Sequence, residues 1–370
     1  MRIGTVSINI NTINHNYGAV LHSWAFQQVL INKIDGVEYT EVIDYLPNYM
    51  KGMNRKYPVL GYYKKGIKDA ILWSLYTPSN VIKYNKVEKF IKQNFNKTPT
   101  KYIEDELSKV NLNYDVLICE SDVIWDPNHY SSGFEKTFFF AHDNMKDKKK
   151  IAYSASLGNA EFTEEEKKEY KILLENIDYI SVREKYAAEF TQQFTNKPVE
   201  YVLDPTLLLE AKDYERITAE NMIKDKYLLI YFPLGYDKKL INHAREYAEK
   251  NNLKVVEISR YVWNKFRHRV YDTAGIEEFL ALIKNAEVIF TNSFHGVCFS
   301  IIFRKEFYAF SRKTGRKIEN ICNIFNLQSR FITDNRFIED NEIDYEKVYK
   351  ILEDKRKQSM KFLINSLGIN

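Results

Sequence analysis

Short apolar runs alternate with helical patterns along most of the 370 residues, and this alternation constrains the fold more than any other feature. In the first half, strands are predicted at residues 2–8, 39–43, 115–119, 151–154, 179–182 and 199–203. In the second half they are predicted at residues 226–232, 253–258, 287–290 and 307–310. Strands separated by helices form parallel sheets, so the sequence predicts an α/β protein.

The chain length and the restart of strand patterning at Lys226 indicate two domains. We predict an N-terminal α/β domain at residues 1–210, a C-terminal α/β domain at residues 211–340 and a closing helix within residues 341–370. Residues 46–101 interrupt the alternation and are interpreted as an insertion in the first domain. A solvated arm or a segment over the cleft is the favoured interpretation, and a membrane-interface segment is the alternative.

The composition argues against several classes of protein, among them nucleic-acid-binding, disulfide-rich and membrane-spanning proteins. Lys and Arg number 54 against 50 Asp and Glu, a formal charge of +4 that is too small to argue for nucleic acid as a partner. The three cysteines, Cys119, Cys298 and Cys322, have the spacing of neither a disulfide framework nor a metal site. No apolar run approaches the ~18 residues of a membrane span, and the N-terminus lacks a signal sequence. We expect a cytoplasmic protein, with peripheral contact at the inner membrane face as an alternative.

A polar turn near the C-terminal end of the second half is the most informative short segment. The sequence Thr-Asn-Ser-Phe-His-Gly at residues 291–296 follows a predicted strand and precedes a helix predicted at residues 297–303. Ligands of open α/β sheets bind beyond the carboxyl ends of the strands, and a helix N-terminus favours anions. We therefore expect an anionic ligand at this turn.

His295 is the titratable residue of that turn, and Gly296 beside it would allow a ligand to approach the backbone closely. Asn292 and Ser293 add hydrogen-bonding side chains. We interpret His295 as a contact for an anionic or hydroxyl group of the substrate. The alternative is that His295 caps its own helix or bonds a neighbouring backbone carbonyl.

A second turn of this kind lies near the N-terminus, where Asn-His-Asn-Tyr-Gly-Ala at residues 14–19 joins the first strand to a helix at residues 20–31. Two such turns, far apart in sequence, suggest two domains that face each other across one cleft. Asn16, Tyr17 and Gly18 are accordingly predicted to line this cleft opposite His295.

Arg183 stands at the end of the strand predicted at residues 179–182, where a helix begins. An arginine in that place can bind a carboxylate or phosphate through two parallel hydrogen bonds. A salt bridge with Glu184 or Glu189 is an equally weighted alternative.

The segment that follows the strand at residues 115–119 supplies acidic candidates. Asp122 and Asp126 could act as a general acid or bind sugar hydroxyls, and Trp125 could stack on a sugar ring. Turn formation by the two aspartates and a core position for Trp125 are the alternatives.

Two basic runs, at residues 260–269 and 312–317, could bind phosphate, although solvated loops are the more common outcome for such runs. Neither has the glycine spacing of a nucleotide-binding loop. No group of His, Asp and Glu has convincing metal-ligand spacing, so no metal is predicted.

Six short motifs occur in a fixed order, and together they resemble the polysaccharide pyruvyl transferase family. They stand at residues 16–21, 121–125, 153–158, 181–184, 204–209 and 291–296. Each motif is weak alone, whereas six in order are specific. Glu120 is a departure, because many members have glycine there.

The resemblance implies two Rossmann-like domains facing a cleft, similar to the GT-B glycosyltransferases, with the C-terminal helix packing back on the first domain. It implies transfer of a pyruvyl group from phosphoenolpyruvate to a sugar of a cell-surface polysaccharide precursor, usually as a cyclic ketal. Phosphoenolpyruvate is then a donor substrate, and no cofactor is required. By position, His295 and Arg183 resemble the family's residues that bind phosphoenolpyruvate. The turn at residues 16–18 resembles the facing wall of the cleft.

The expected acceptor is a sugar or a lipid-linked oligosaccharide. The candidates for general acid and base are Asp122, Asp126, His15 and His295. Two other functions stay open: a GT-B glycosyltransferase that uses a nucleotide sugar, and a non-catalytic member of a polysaccharide assembly complex.

Overall fold

The computed structural model describes residues 1–11, 16–51, 56, 67–128, 133–235, 238–259, 262–310, 315–333, 337 and 341–369. The chain divides into two compact units. Unit 1 comprises Met1–Asn54, Gln93–Leu209 and Leu352–Asn370, and unit 2 comprises Arg55–Lys92 and Glu210–Ile351.

Unit 1 contains a six-stranded sheet in which every described strand pair is parallel. Its strands are β1 (Arg2–Val6), β2 (Tyr39–Val42), β3 (Val116–Glu120), β4 (Lys149–Ala155), β5 (Tyr179–Val182) and β6 (Val199–Tyr201). Their order is β2-β1-β3-β4-β5-β6, so the direction of strand addition reverses between β1 and β3. Ligand sites of doubly wound sheets lie at such a reversal, beyond the carboxyl ends of the strands.

Unit 2 contains a second parallel six-stranded sheet. Its strands are β7 (Tyr227–Tyr231), β8 (Lys254–Ile258), β9 (Arg269–Val270), β10 (Val288–Thr291), β11 (Glu306–Phe310) and β12 (Phe331–Ile332). The order is β12-β11-β10-β7-β8-β9, which places the reversal between β7 and β10. This is the strand order of dinucleotide-binding Rossmann domains. The prediction of an α/β protein with two Rossmann-like domains is confirmed.

Helices connect the strands of both sheets. The α-helices are α1 (Tyr17–Asn32), α2 (Ile67–Asn94), α3 (Glu104–Leu107), α4 (Glu164–Leu174), α5 (Lys185–Thr191), α6 (Ala211–Glu215), α7 (Lys238–Lys250), α8 (Ile276–Lys284), α9 (Phe294–Ile302), α10 (Arg316–Ile324) and α11 (Tyr345–Leu367). Short 3₁₀ turns occupy Asn48–Met50, Lys136–Phe139, Asp143–Met145, Gln192–Phe194, Pro205–Leu208, Val262–Phe266 and Gln328–Arg330. No helix in the described ranges has the length and apolar character needed to cross a membrane.

Each sheet has its own apolar core. In unit 1, fully buried Trp125 and Tyr170 pack with Phe139 in an aromatic cluster. In unit 2, Phe290 of β10 packs against Tyr308 of β11. The three cysteines are buried and free, as buried thiols rather than disulfides.

The C-terminal helix packs on unit 1, as predicted. The Leu203 N–H donates to the Ser359 hydroxyl at 2.9 Å. The Arg356 guanidinium donates to the carbonyl oxygens of Leu207 and Leu209, at 2.6 and 2.5 Å. These bonds satisfy one N–H group and two carbonyl groups of the segment that leads out of the first sheet.

Candidate functional site

The turn at residues 291–296, here called the His295 turn, lies at the strand-order reversal of unit 2. It joins β10 to α9, and β10 pairs with β7. The Thr291 hydroxyl donates to the carbonyl of Tyr231, the last residue of β7, at 2.7 Å. The same hydroxyl accepts from the Ser293 N–H at 3.0 Å. Thr291 therefore ties the turn to the end of the neighbouring strand.

Ser293, and not His295, caps α9. Its hydroxyl accepts from the Gly296 N–H at 3.2 Å, which satisfies a backbone donor of the first helical turn. The helix begins at Phe294, three residues earlier than predicted, so His295 lies within its first turn. A Cβ at Gly296 would collide with the Thr291 side chain, so only glycine allows this close packing.

His295 is 7% exposed, and its ring lies edge-on to Phe294 with the ring centroids 5.2 Å apart. Burial raises the pKa of the nearby Tyr231 hydroxyl, although a hydrogen bond with Ser293 opposes this shift. Asn292 is less buried, and its amide oxygen accepts from the Leu234 N–H at 3.4 Å. The turn thus brings an imidazole, an amide and a hydroxyl to a helix N-terminus, a combination suited to an anionic ligand.

In unit 1, the strand ends converge on a buried group of polar side chains, here called the Arg183 network: Ser121, Ser156, Arg183, Glu184 and Asp204. The Arg183 Nε donates to Glu184 Oε1 at 3.1 Å. Its Nη1 donates to Asp204 Oδ2 at 2.9 Å and to the Ser121 hydroxyl at 3.2 Å. The arginine therefore forms the ion pair with Glu184 that the sequence left as an alternative, together with a second ion pair.

The hydroxyl groups of the network fix its two carboxylates. Ser156 donates to Glu184 Oε1 at 2.8 Å, and Ser121 donates to Asp204 Oδ2 at 2.8 Å. Thr206 also donates to Asp204 through its hydroxyl, at 2.7 Å. Charged groups buried this deeply are stable only when their hydrogen bonds are satisfied. The two carboxylates of the network are therefore held by hydroxyl groups as well as by Arg183.

The charge balance of the network explains the state of Arg183. Burial alone would lower the pKa of the guanidinium, but the carboxylates of Glu184, Asp204 and Asp122 raise it above its ordinary value. Arg183 stays positively charged inside the protein. Its role in binding the carboxylate or phosphate of the donor substrate stays a prediction. In that role, Arg183 would act while it is paired with the carboxylates of Glu184 and Asp204.

The turn after β3 adopts a conformation that is rare for residues with side chains. Ser121 and Asp122 have φ angles of 32° and 63°. Left-handed conformations of this kind carry strain and concentrate at binding and catalytic sites. The turn stands at the strand-order reversal of the first sheet, because β3 is the neighbour of β1.

Glu120, the last residue of β3, is fully buried beside the Arg183 network. Its Oε1 accepts from the Ser23 hydroxyl of α1 at 2.5 Å. Burial raises the pKa of this carboxyl to about 8, with hydrogen bonds from Ser23 and Asn9 opposing the shift and Asp204 reinforcing it. Glu120 is therefore largely protonated at neutral pH.

The candidate acids Asp122 and Asp126 are half-buried. The Asp122 carboxylate accepts from the Val123 N–H at 2.8 Å, and the Asp126 carboxylate accepts from the Asn128 N–H at 2.9 Å. Both aspartates thus take part in turn formation, which leaves their proposed chemical roles untested. Trp125 lies in the core and donates to the Phe138 carbonyl at 3.3 Å, so it is not a platform for a sugar ring.

Asn16 caps α1, and its side-chain oxygen accepts from the Gly18 N–H at 3.0 Å. Tyr17 and Gly18 are buried in the first turn of that helix. The candidate base His15 lies outside the described residues. Helix α1 of unit 1 and helix α9 of unit 2 therefore begin alike, because each has a polar N-cap residue, Asn16 or Ser293.

Sequence reasoning did not identify Glu184, Asp204, Ser121 and Ser156 as one cluster. The usable signal was the position of each residue, because all four follow predicted parallel strands and such ends share one edge of a sheet. Among the described residues, no group of three or more His, Cys, Asp and Glu side chains could hold a metal ion.

Comparison with solved structures shows the fold. The structure of Methanocaldococcus jannaschii UDP-GlcNAc 2-epimerase in complex with UDP-GlcNAc and UDP is 14% identical, with a TM-score of 0.50, and the match covers 96% of this chain and 93% of that chain. The structure of E. coli ADP-heptose lps heptosyltransferase II is 9% identical, with a TM-score of 0.41, and the match covers 97% of this chain and 100% of that chain. The similarity to the epimerase, at a TM-score of 0.50, shows the expected GT-B-like fold.

A comparison with curated proteins gives no significant match. Comparison with protein families gives a match over residues 16–314, described as polysaccharide pyruvyl transferase. The matched range begins at the helix cap Asn16 and contains both the Arg183 network and the His295 turn. The chain belongs to the polysaccharide pyruvyl transferase family.

Proposed function

We propose that this protein transfers a pyruvyl group from phosphoenolpyruvate to a sugar of a cell-surface polysaccharide precursor and forms a cyclic ketal. The observation that carries the proposal is the His295 turn, which in a member of this family stands at the strand-order reversal of a Rossmann sheet. Phosphoenolpyruvate carries a carboxylate and a phosphate, and a helix N-terminus with a nearby imidazole suits either group.

The reaction balances without a redox partner. A proton adds to the methylene carbon of phosphoenolpyruvate, which becomes a methyl group and leaves positive charge at C2. One acceptor hydroxyl attacks C2, and a second hydroxyl of the same sugar then displaces inorganic phosphate. Of the two protons lost by the acceptor, one replaces the proton taken up by the methyl group and the other leaves with phosphate. The scheme needs both a general acid and a general base.

The candidate residues divide into three roles. His295, Asn292 and Ser293 would bind or polarise an anionic group of the donor, whereas Gly296 is packed against Thr291 and its N–H is bonded to Ser293. Asp122 and Asp126 are the half-buried candidates for proton transfer to or from the acceptor. Arg183 would contribute fixed positive charge, held in place by Glu184 and Asp204.

The proposal is tested by phosphate release from phosphoenolpyruvate in the presence of a panel of acceptor glycosides. His295→Ala should lower this activity by ~100-fold or more, in line with the loss of one preorganised electrostatic contact. His243→Ala is the matched control, because that histidine lies on α7 of the same unit and pairs with Glu246 at 3.5 Å. It should retain wild-type activity.

The rival function is glycosyl transfer from a nucleotide sugar, which the GT-B-like fold also accommodates. A donor that binds the folded state raises its thermal stability, so phosphoenolpyruvate and nucleotide sugars can be compared directly. Stabilisation by a nucleotide sugar, with no phosphate release from any acceptor, would favour the rival. Turnover of either donor would exclude a purely structural role.

A further inference from the structure

The helix α2 exposes a row of large apolar side chains. Ile71, Leu75 and Ile82 are 56%, 51% and 46% exposed. Their spacings of four and seven residues put them on one face of a helix. Pro78, which lies inside the helix, is exposed on the same face. We call these four residues the α2 stripe.

The side of α2 away from the stripe is buried, since Val87 and Ile91 are 0% and 3% exposed. Polar contacts also hold the helix to the rest of unit 2. The Lys86 ammonium forms an ion pair with Glu278 of α8 at 2.5 Å. The Ser79 hydroxyl donates to the carboxylate of Asp272. Because Val87 and Ile91 lie on the side of the helix opposite Ile82, their burial leaves the stripe turned outward.

Positive charge is concentrated in the segment that contains the stripe. Residues 51–97 hold eleven Lys and Arg against two Asp and Glu, a formal +9, whereas the whole chain carries +4. The remainder of the chain is therefore net negative, at −5. On α2 itself, Lys89 and Lys92 are exposed on the face that continues the stripe toward the helix C-terminus.

We propose that the α2 stripe and its flanking lysines dock this protein on the surface of a membrane that contains anionic phospholipid. Apolar side chains enter the boundary between headgroups and acyl chains, while lysines stay at the level of the anionic headgroups. A wholly polar polyanion would match the charge of this segment but would leave the three apolar side chains in water.

Docking would bring the protein to the membrane that holds its acceptor, if the acceptor is the lipid-linked sugar precursor of the proposed function. This last step rests on the proposed function. The membrane contact itself does not, because it can be measured without any donor or acceptor.

Binding is measured by co-sedimentation of the full chain with vesicles of phosphatidylcholine alone and of phosphatidylcholine with phosphatidylglycerol. We expect binding to the anionic vesicles that weakens as salt is added. The triple variant Ile71→Ser, Leu75→Ser and Ile82→Ser should bind about tenfold more weakly or worse, because it loses three apolar insertions. Its unfolding temperature should stay near wild type, since the three side chains are exposed.

Two controls separate the stripe from general surface effects. Ile172→Ser removes an apolar side chain of unit 1 that is 64% exposed, and this variant should bind vesicles like wild type. Lys89→Glu with Lys92→Glu should weaken binding to anionic vesicles, whereas Lys224→Glu with Lys238→Glu, which changes exposed lysines elsewhere in unit 2, should weaken it much less.

A second pair of assays distinguishes the two proposals. The triple variant should release phosphate normally with a soluble acceptor glycoside and poorly with a lipid-linked acceptor in vesicles. Equal vesicle binding by wild type and the triple variant would overturn the docking proposal. It would also be overturned if wild type formed a dimer that the triple variant loses while neither binds vesicles, because a second copy would then cover the stripe.

Discussion

The local sequence around Arg183 is compatible with two roles for its side chain. A strand-end arginine is equally suited to an anionic ligand and to a buried ion pair, so the sequence left both open. The structure shows ion pairs with Glu184 and Asp204, at 3.1 and 2.9 Å. The sequence placed Asp204 after a predicted strand, whereas its approach to Arg183 depends on the adjacent placement of β5 and β6.

Removing the guanidinium should destabilise the protein as well as impair donor binding. Arg183→Ala leaves two buried carboxylates without their cation, and breaking a buried pair in this way costs about 3–5 kcal/mol. The loss is measured by comparing the free energies of unfolding of Arg183→Ala and wild type in urea. Arg183→Lys should recover little activity, because an ammonium cannot reproduce the planar fork.

Lys185→Ala is the matched control for that measurement. Lys185 pairs with Glu189 at 3.8 Å, with both side chains largely exposed, and exposed pairs contribute at most about 1 kcal/mol. Equal losses of stability in Arg183→Ala and Lys185→Ala would contradict the account of the buried network.

Glu120 should make stability depend on pH. Its pKa is about 8 in the folded protein, against an ordinary value of 4.5, so the unfolded chain releases this proton at lower pH than the folded chain. Stability should therefore fall as pH rises from about 4.5 to about 8, by at most roughly 1.4 kcal/mol per pH unit from this group, and level off above.

Glu120→Gln removes the titration and keeps an oxygen for the Ser23 hydroxyl. The variant should gain stability relative to wild type as pH rises through that window, as followed by urea unfolding at several pH values. A parallel shift of both proteins at every pH would show that Glu120 titrates normally. The sequence marked this position only as a departure from the usual glycine, and the cause of the shift is tertiary burial.

At the scale of secondary-structure elements, the starts of α1 and α9 resemble each other. Both α1 and α9 begin with a polar cap, Asn16 or Ser293, whose oxygen accepts from a backbone N–H. Sequence patterning located both helices but began each about three residues too late, because Tyr17 and Phe294 were assigned to turns. An N-cap residue is outside the helical periodicity, so periodicity alone cannot fix the first turn.

Gly296→Ala tests the junction between β10 and α9. The new Cβ would collide with Thr291, whose hydroxyl holds the turn to Tyr231, so overpacking should cost about 1–3 kcal/mol and displace His295. Both unfolding and phosphate release should be affected. Ser300→Ala, one turn along the same helix, should cost less and leave activity near wild type; a fully active Gly296→Ala protein would contradict the geometry.

The elements that sequence reasoning missed are short or irregular. Strands β9 and β12 contain two residues each, too few for a periodic signal. Helix α10 begins at Arg316, inside the basic run at residues 312–317 that was interpreted as a loop, and residues 312–314 lie outside the described part of the chain. By contrast, helix α4 begins with a capping box of Thr163 and Glu166, and both of its hydrogen bonds are local.

At the scale of the whole molecule, the two sheets differ in strand order although both are parallel and six-stranded. The alternation of strands and helices predicted the fold class. It could not predict the order of strands, since order depends on which side each crossover helix packs. That order positions the candidate sites, because it places the turn after β3 and the His295 turn at the reversals of their own sheets.

The proposed activity is tested most directly by following the fate of the pyruvyl carbons. Phosphoenolpyruvate labelled in its three-carbon unit is incubated with an acceptor glycoside, and label in the acceptor is compared with phosphate released. We predict equal amounts of both, with an acceptor that has gained pyruvate less one water and lost two free hydroxyls. His295→Ala should lower label and phosphate together. Phosphate without labelled acceptor, or saturable transfer from a nucleotide sugar with no use of phosphoenolpyruvate, would contradict it.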